Sequence, residues 1–226
     1  MFLRPKATGK FRVQSIIVDM RARRFSGIAA VCLFPLIPAC AQVIEFESGG
    51  LKYKALTRNG LTIMVANLPA HVRDYSIVQV AVSNGSKISW TVKPEDFTFQ
   101  GADGRVLQAR PARDVVESLM EKAHGGDIVK LITTYEAGLY GIPKFESTHG
   151  YETRRQAALA MTSAKWKAAA AASAIAFVPS KLAPGESTDG AVFWSTLGKA
   201  LGAGKFVVHA AGELFEFDSD PPPVRN

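Results

Sequence analysis

The chain has 226 residues, with 27 Lys plus Arg against 20 Asp plus Glu and only two cysteines, Cys32 and Cys40. A net charge of +7 suggests an anionic partner such as nucleic acid, but residues 1–39 hold seven of the basic residues and one acid, leaving 20 basic against 19 acidic beyond them. The part after residue 39 is therefore close to electroneutral, which excludes nucleic-acid binding, and its length suits one domain around one core, usually about 100–200 residues.

The segment Arg21-Ala-Arg-Arg24 followed by Phe25 to Ala39 has the basic start and short apolar run of a bacterial export signal. It is too short to span a bilayer, which takes about 20 apolar residues. Pro35 and Pro38 also lack the amides that a permanent helix would use. Met20 stands immediately before the basic start and is the expected translation start, so residues 1–39 are read as leader. Ile37-Pro-Ala-Cys40 resembles a lipobox, and lipidation of Cys40 is the expectation. Ala39-Cys-Ala41 also fits ordinary signal-peptidase cleavage, with Gln42 as the first mature residue, and that alternative stays open. Lipidation would tether the protein to a membrane, since several acyl chains anchor firmly where one anchors marginally.

After the leader, Leu51–Thr57 and Leu61–Ala66 flank Asn59-Gly60 and predict a hairpin. Ile77–Val82 and Ile88–Val92, separated by Asn84-Gly-Ser86, predict a second hairpin of half-buried strands, with Trp90 facing the core. Phe97–Phe99 and Arg105–Gln108 around Ala102-Asp-Gly104 predict a third pair.

From residue 111 to about 178 the period changes to helical. Asp114 is placed to cap a helix ending at Lys122, with Val115 and Leu119 on one side and Gly125-Gly126 as its stop. A second helix is expected over Asp127–Leu139, against the strand-like content of Ile132–Tyr135, followed by loop over 141–150. The Ala-rich run Glu152–Ala176 predicts a third helix, because Ala is the best helix former. Strands resume with Gly190–Trp194, Gly204–Ala210 and Glu213–Phe217, and residues 219–226, with Pro221-Pro-Pro223, are expected to be disordered. Strands, a helical block and strands again predict a mainly β domain over 40–218, α+β overall, with an inserted helical segment.

Val80-Ala-Val-Ser-Asn84 with Trp90 and Pro94-Glu-Asp-Phe97, then Leu182-Ala-Pro-Gly-Glu-Ser187 with Gly190–Trp194, resemble the strand and turn signatures of bacterial exported immunoglobulin-like sandwich domains of unknown function. The resemblance covers about half of the mature chain. It implies an immunoglobulin-like sandwich and carries over no active site.

Motifs for chemistry are incomplete. Gly185-Glu-Ser-Thr-Asp-Gly190 misses the spacing of a nucleophile elbow and reads as a turn entering a strand. Gly198 to Lys205 departs from a phosphate-binding loop at Lys199 and Phe206 and reads as a flexible connection. His71, His124, His149 and His209 lack zinc-ligand spacing; His209 is expected to be partly buried in a strand. Glu213 and Glu216 fall on opposite faces of one strand, so they do not form a glycosidase pair.

No catalytic, cofactor-binding or metal residue is therefore expected, and Cys40 is the one assigned position, as a lipidation site. The expected protein is a non-catalytic envelope module, in the outer membrane or periplasm or otherwise secreted, with a protein or glycan partner. A histidine in a pocket with acids, near His209 or His149, would favour the alternative of an exported hydrolase. Arg154–Ala176, a basic helix containing Trp166, is a weaker candidate for lying on a membrane surface.

Overall fold

The computed structural model describes residues 42–68, 74–122, 125–159, 170 and 172–219. The leader with Cys32, and also Cys40, His71, His124 and Trp166, lie outside the described residues. The chain is mainly β, with antiparallel sheets.

Strands β1 (Ile44–Ser48), β2 (Leu51–Arg58), β3 (Leu61–Asn67), β4 (Tyr75–Asn84) and β9 (Ser187–Ser195) form a five-stranded sheet in the order β1-β2-β3-β4-β9. A four-stranded sheet runs β11-β10-β6-β7, with β6 at Phe97–Gly101, β7 at Val106–Gln108, β10 at Gly204–Ala210 and β11 at Glu213–Ser219. β5 (Trp90–Val92) pairs with β8 (Ser180–Leu182) in a two-stranded sheet.

After β7 come the helices α1 (Ala112–Lys122), α2 (Gly125–Leu139) and α3 (Tyr151–Leu159). The chain is helical again at 172–175 before β8.

The central strands β4 and β9 of the five-stranded sheet are buried on both faces, whereas the edge strand β1 is not. Ile63, Val65, Val78, Val80, Val82, Val192 and Trp194 point to one side, into a core shared with Phe97, Phe99, Phe206, Val208, Phe215 and Phe217 of the second sheet. Leu51, Tyr53, Ile77, Ala81, Ala191 and Phe193 point to the other side, against Val115, Leu131, Tyr135, Leu139 and Tyr151 of the helices. Alternation along β2, β3, β4 and β9 thus sends residues into two different cores. β4, expected to be half-buried, has nine of its ten residues buried.

Gly190 lets the segment after the helices lie directly on β9. A Cβ there would come within 2.7 Å of the Phe177 amide nitrogen, which donates to the Ala191 carbonyl at 2.8 Å.

The first and third expected hairpins form, the first through Asn59 and Gly60, both at positive φ, as a two-residue turn requires. The second does not form. Asn84 ends β4, and its side-chain amide donates to the carbonyls of Ile88 (2.8 Å) and Leu182 (3.0 Å), which directs the chain away to pair with β8. Trp90 is accordingly only half-buried, its indole N–H donating to Ser86 at 3.0 Å, whereas Trp194 is fully in the core.

Asp114 lies in the first turn of α1, bridged to Arg110 at 3.3 Å, because the helix begins two residues before the expected cap. Gly125-Gly126 opens α2, and the strand-like Ile132–Tyr135 is helical, since Leu131 and Tyr135 recur at helical spacing on the buried face. Ser219, expected in the tail, is the buried last residue of β11; residues 220–226 lie outside the described residues.

Candidate functional site

An open groove of about 590 Å³ lies between β5, the short helical turn Pro94–Asp96 and the β10–β11 hairpin. Thr91, Lys93, Asp96, His209, Glu213 and Leu214 give it its chemistry. The hairpin turn, Ala211-Gly212, places both residues at positive φ, a two-residue geometry that suits the twist of the strands it joins.

Both acids of the groove are held in place. The Lys93 backbone N–H donates to Asp96 at 2.9 Å, fixing that carboxyl in the groove lining. The Asn59 side chain donates to Glu213 at 2.7 Å, and Arg58 lies 3.7 Å from the same carboxylate, which ties the hairpin to the β2–β3 turn. Partial burial raises the Asp96 pKa, an effect opposed by the Lys93 N–H, the Lys93 charge and His209. His209 is exposed on β10, not partly buried as the sequence suggests, because Val208 and Ala210 take the inward positions. Thr91 and His209 donate or accept no side-chain hydrogen bond among the described residues. The groove therefore presents a hydroxyl, an imidazole, an ammonium and two positioned carboxyls to solvent, with Leu214 as its apolar contact.

A second polar centre lies inside the protein, where the helices meet the five-stranded sheet. Asp189 on β9 is fully buried. It accepts the Tyr135 hydroxyl at 2.5 Å and the Tyr151 backbone N–H at 3.1 Å, so a strand residue caps the first turn of α3. Gly150 makes this approach possible, because a Cβ there would overlap both Asp189 and Ser147.

The neighbouring polar groups are likewise engaged. Arg154 donates to the carbonyls of Ala174 (2.7 Å), His149 (2.9 Å) and Asp189 (2.7 Å), and burial pulls its guanidinium below the ordinary value. Tyr53 donates to Gln79 at 3.0 Å, Gln79 donates to the Tyr135 carbonyl at 3.4 Å, and Tyr151 donates to Glu136 at 2.5 Å. Arg155 lies 3.2 Å from that same Glu136. Burial raises the pKa of Tyr53, Tyr135 and Tyr151; the Asp189 charge adds to it at Tyr53 and Tyr135, and the bond to Glu136 adds to it at Tyr151.

Compared with protein-family models, curated proteins and solved structures, the chain matches none.

Of the sequence candidates, His209 joins acids in the groove, while His149 sits elsewhere, its imidazole 3.1 Å from Glu186 at an exposed turn. The Ala183 N–H, followed by His149, lowers the Glu186 pKa. Glu213 and Glu216 do lie on opposite faces of β11. Ser187, of the near-miss elbow, donates to the Glu146 carbonyl at the entry to β9. Arg154 and Arg155 bond to groups of the protein itself, and residues 160–169 and 171 of the expected Arg154–Ala176 helix lie outside the described residues. No group of three or more metal-binding side chains and no membrane-crossing helix occurs among the described residues. Sequence reasoning passed over Asp189; its one signal is a carboxylate entering the otherwise apolar run Gly190-Ala-Val-Phe-Trp194.

Proposed function

We propose that the chain is an exported, non-catalytic module of the bacterial cell envelope: an immunoglobulin-like sandwich with a helical insertion, tethered through a lipidated Cys40. The groove beside His209 is its binding surface for a protein or glycan partner. Strand connectivity supports the immunoglobulin-like reading. The neighbours β3-β4-β9 correspond to strands A, B and E of that fold, and β11-β10-β6 to G, F and C. The helices occupy the stretch of chain where strand D would fall, between β7 and β9.

The observation that carries the binding role is the groove's lining. Its polar groups are positioned by neighbouring backbone and side chains, while Thr91 and His209 remain available to a ligand. Such a surface suits a glycan, whose hydroxyls both donate and accept hydrogen bonds.

Tyr53, Gln79, Tyr135, Tyr151, Arg154 and Asp189 at the helix–sheet interface are tied by structural hydrogen bonds, which supports a scaffold role there. A second reading, an exported hydrolase, draws on His209 and Asp96 sharing one groove, since a base with an acid beside it is a common catalytic pairing.

Intact mass and membrane fractionation, for the wild type and Cys40→Ser, test the tether. A diacylglyceryl mass on membrane-bound wild type, absent from the serine variant, is expected. A soluble product beginning at Gln42 would overturn it and leave a free periplasmic or secreted protein. Glycan-array binding lost in His209→Ala tests the groove, and substrate turnover lost in that same variant would establish the hydrolase instead.

A further inference from the structure

The first strand fixes which end of the sheets lies beside Cys40. β1 runs antiparallel to β2, with Ile44 opposite Ala55, so the N-terminal end of β1 points toward the Asn59-Gly60 turn. The step from Cys40 to Gln42, the first described residue, is covered by at most about 7 Å of extended chain. The Asn59-Gly60 turn is joined to two other loops: the Gly85 N–H donates to the Gly60 carbonyl at 2.8 Å, and the Asn59 side chain donates to Glu213 beside the β10–β11 turn.

An exposed apolar side chain stands at this same end. Ile88, in the loop between β4 and β5, is 55% exposed and follows the exposed Lys87. Its backbone is held in place: the Asn84 and Ser86 side chains donate to its carbonyl at 2.8 and 3.0 Å, and its N–H donates to the Ser86 Oγ at 3.3 Å. Ile44, 65% exposed, opens β1 on the same side, while the exposed Glu45 and Glu47 further along that strand would lose water if β1 lay flat on a bilayer. Leu197, 80% exposed, belongs to the opposite end, since it follows Ser195, which pairs with Tyr75 at the start of β4. The ten residues of β4 separate the two ends by about 30 Å.

We infer that the end carrying the Asn59-Gly60 turn and the Ile88 loop lies against the lipid bilayer that holds Cys40, with Ile88 entering the interface and the Lys87 ammonium reaching the phosphates. The inference rests on the Cys40 tether proposed above. One isoleucine alone holds a bilayer only marginally, but an anchor makes its contact intramolecular, at an effective concentration that a short linker raises to about the millimolar range. Arg58, Lys87 and Lys93 stand at this end beside Asp96, Glu186 and Glu213, so the contact works through the apolar side chain and zwitterionic lipid suffices. The groove beside His209 opens at the same end, which brings its partner to the membrane surface.

Residues 40–226 form a compact unit of their own, with Cys40 as their only cysteine. Coupled through that thiol to a maleimide lipid in phosphatidylcholine vesicles, this chain is compared by amide hydrogen exchange with the same chain capped by N-ethylmaleimide. Slower exchange over residues 85–89 on the vesicles, with no change over residues 197–202, is expected. Ile88→Asp should lose that protection and Leu197→Asp should keep it; the capped form of each variant shows that it folds. Protection of residues 197–202, protection of neither segment, or protection that survives in Ile88→Asp would overturn the assignment. Chemical coupling keeps the two readings apart: an unlipidated natural product, seen by intact mass, removes the tether, while exchange on the coupled chain still reports which end meets the lipid.

Discussion

The two faces of the five-stranded sheet are buried by different chemistry. Toward the second sheet, Ile63, Val80, Val82 and Trp194 meet a row of phenylalanines, and stability there comes from apolar area and close packing. Toward the helices, the same strands present Tyr53, Gln79 and Asp189, and the neighbouring elements are joined by hydrogen bonds as well as by alanine-sized contacts. An apolar core tolerates small changes of volume, because its contacts are many and individually weak. A buried polar network is less forgiving, since removing one member leaves its partners unpaired where water cannot reach them. One sheet therefore offers an internal comparison between the two modes of packing.

The largest expected effect is at the polar face. Asp189→Ala strips the Tyr135 hydroxyl and the first turn of α3 of their acceptor and leaves Arg154 without its neighbouring charge. It should cost about 3–5 kcal/mol, the range for breaking a buried charged interaction, read from urea unfolding at unchanged m-value.

Next comes Tyr135→Phe, which keeps the ring and removes the donor, at a cost of about 1.5–3 kcal/mol for a hydrogen bond to a charged group. The same variant sharpens the comparison through pH. Tyr53, Tyr135 and Tyr151 have folded pKa values raised above the ordinary tyrosine value of 10.0. Above pH 10 the unfolded chain loses these protons while the folded chain keeps them, so their contribution is complete below about pH 10 and falls as pH rises. Each tyrosine adds about 1.4 kcal/mol per pH unit to that slope. Tyr135→Phe should flatten alkaline unfolding by one such increment, and an unchanged slope would contradict the assignment.

The apolar face should give less. Ile63→Val, in the core between the sheets, should cost about 0.5–1.5 kcal/mol. If it proves as damaging as Tyr135→Phe, the contrast between the faces fails.

Much of this layout was legible in the sequence, and its gaps have physical causes. Asn59-Gly60 announced its hairpin because a two-residue turn needs positive φ. The β-branched content of β4 announced a strand but not a strand buried on both sides, since Ala81, Gln79 and Ile77 face helices that are distant in sequence. Asn84-Gly-Ser86 carried the composition of a tight turn, yet its hydrogen bond to Leu182 comes from across the molecule, and no local pattern encodes that partner. The groove shows the same limit: His209 and Asp96 are far apart in the chain, and only the pairing of β10 with β6 brings their neighbourhoods together.

The smallest expected effect carries the opposite sign and lies at the groove. Asp96 is half-buried, and its carboxyl binds its proton more tightly in the folded chain than in the unfolded one. Stability contributed by that proton is present at low pH and is lost as pH rises from the ordinary carboxyl value of about 3.9 through the raised folded value. At neutral pH the ionised side chain is therefore a net cost, reduced by solvent at a partly open site. Asp96→Asn keeps an oxygen to accept the Lys93 N–H and removes the charge. It should raise stability at pH 7 by less than about 1 kcal/mol and change nothing at pH 3, where the native carboxyl is already protonated. A loss of stability at pH 7 would mean that Lys93 and His209 hold the charge at a net gain, and that the groove's acid is stabilised within the protein itself.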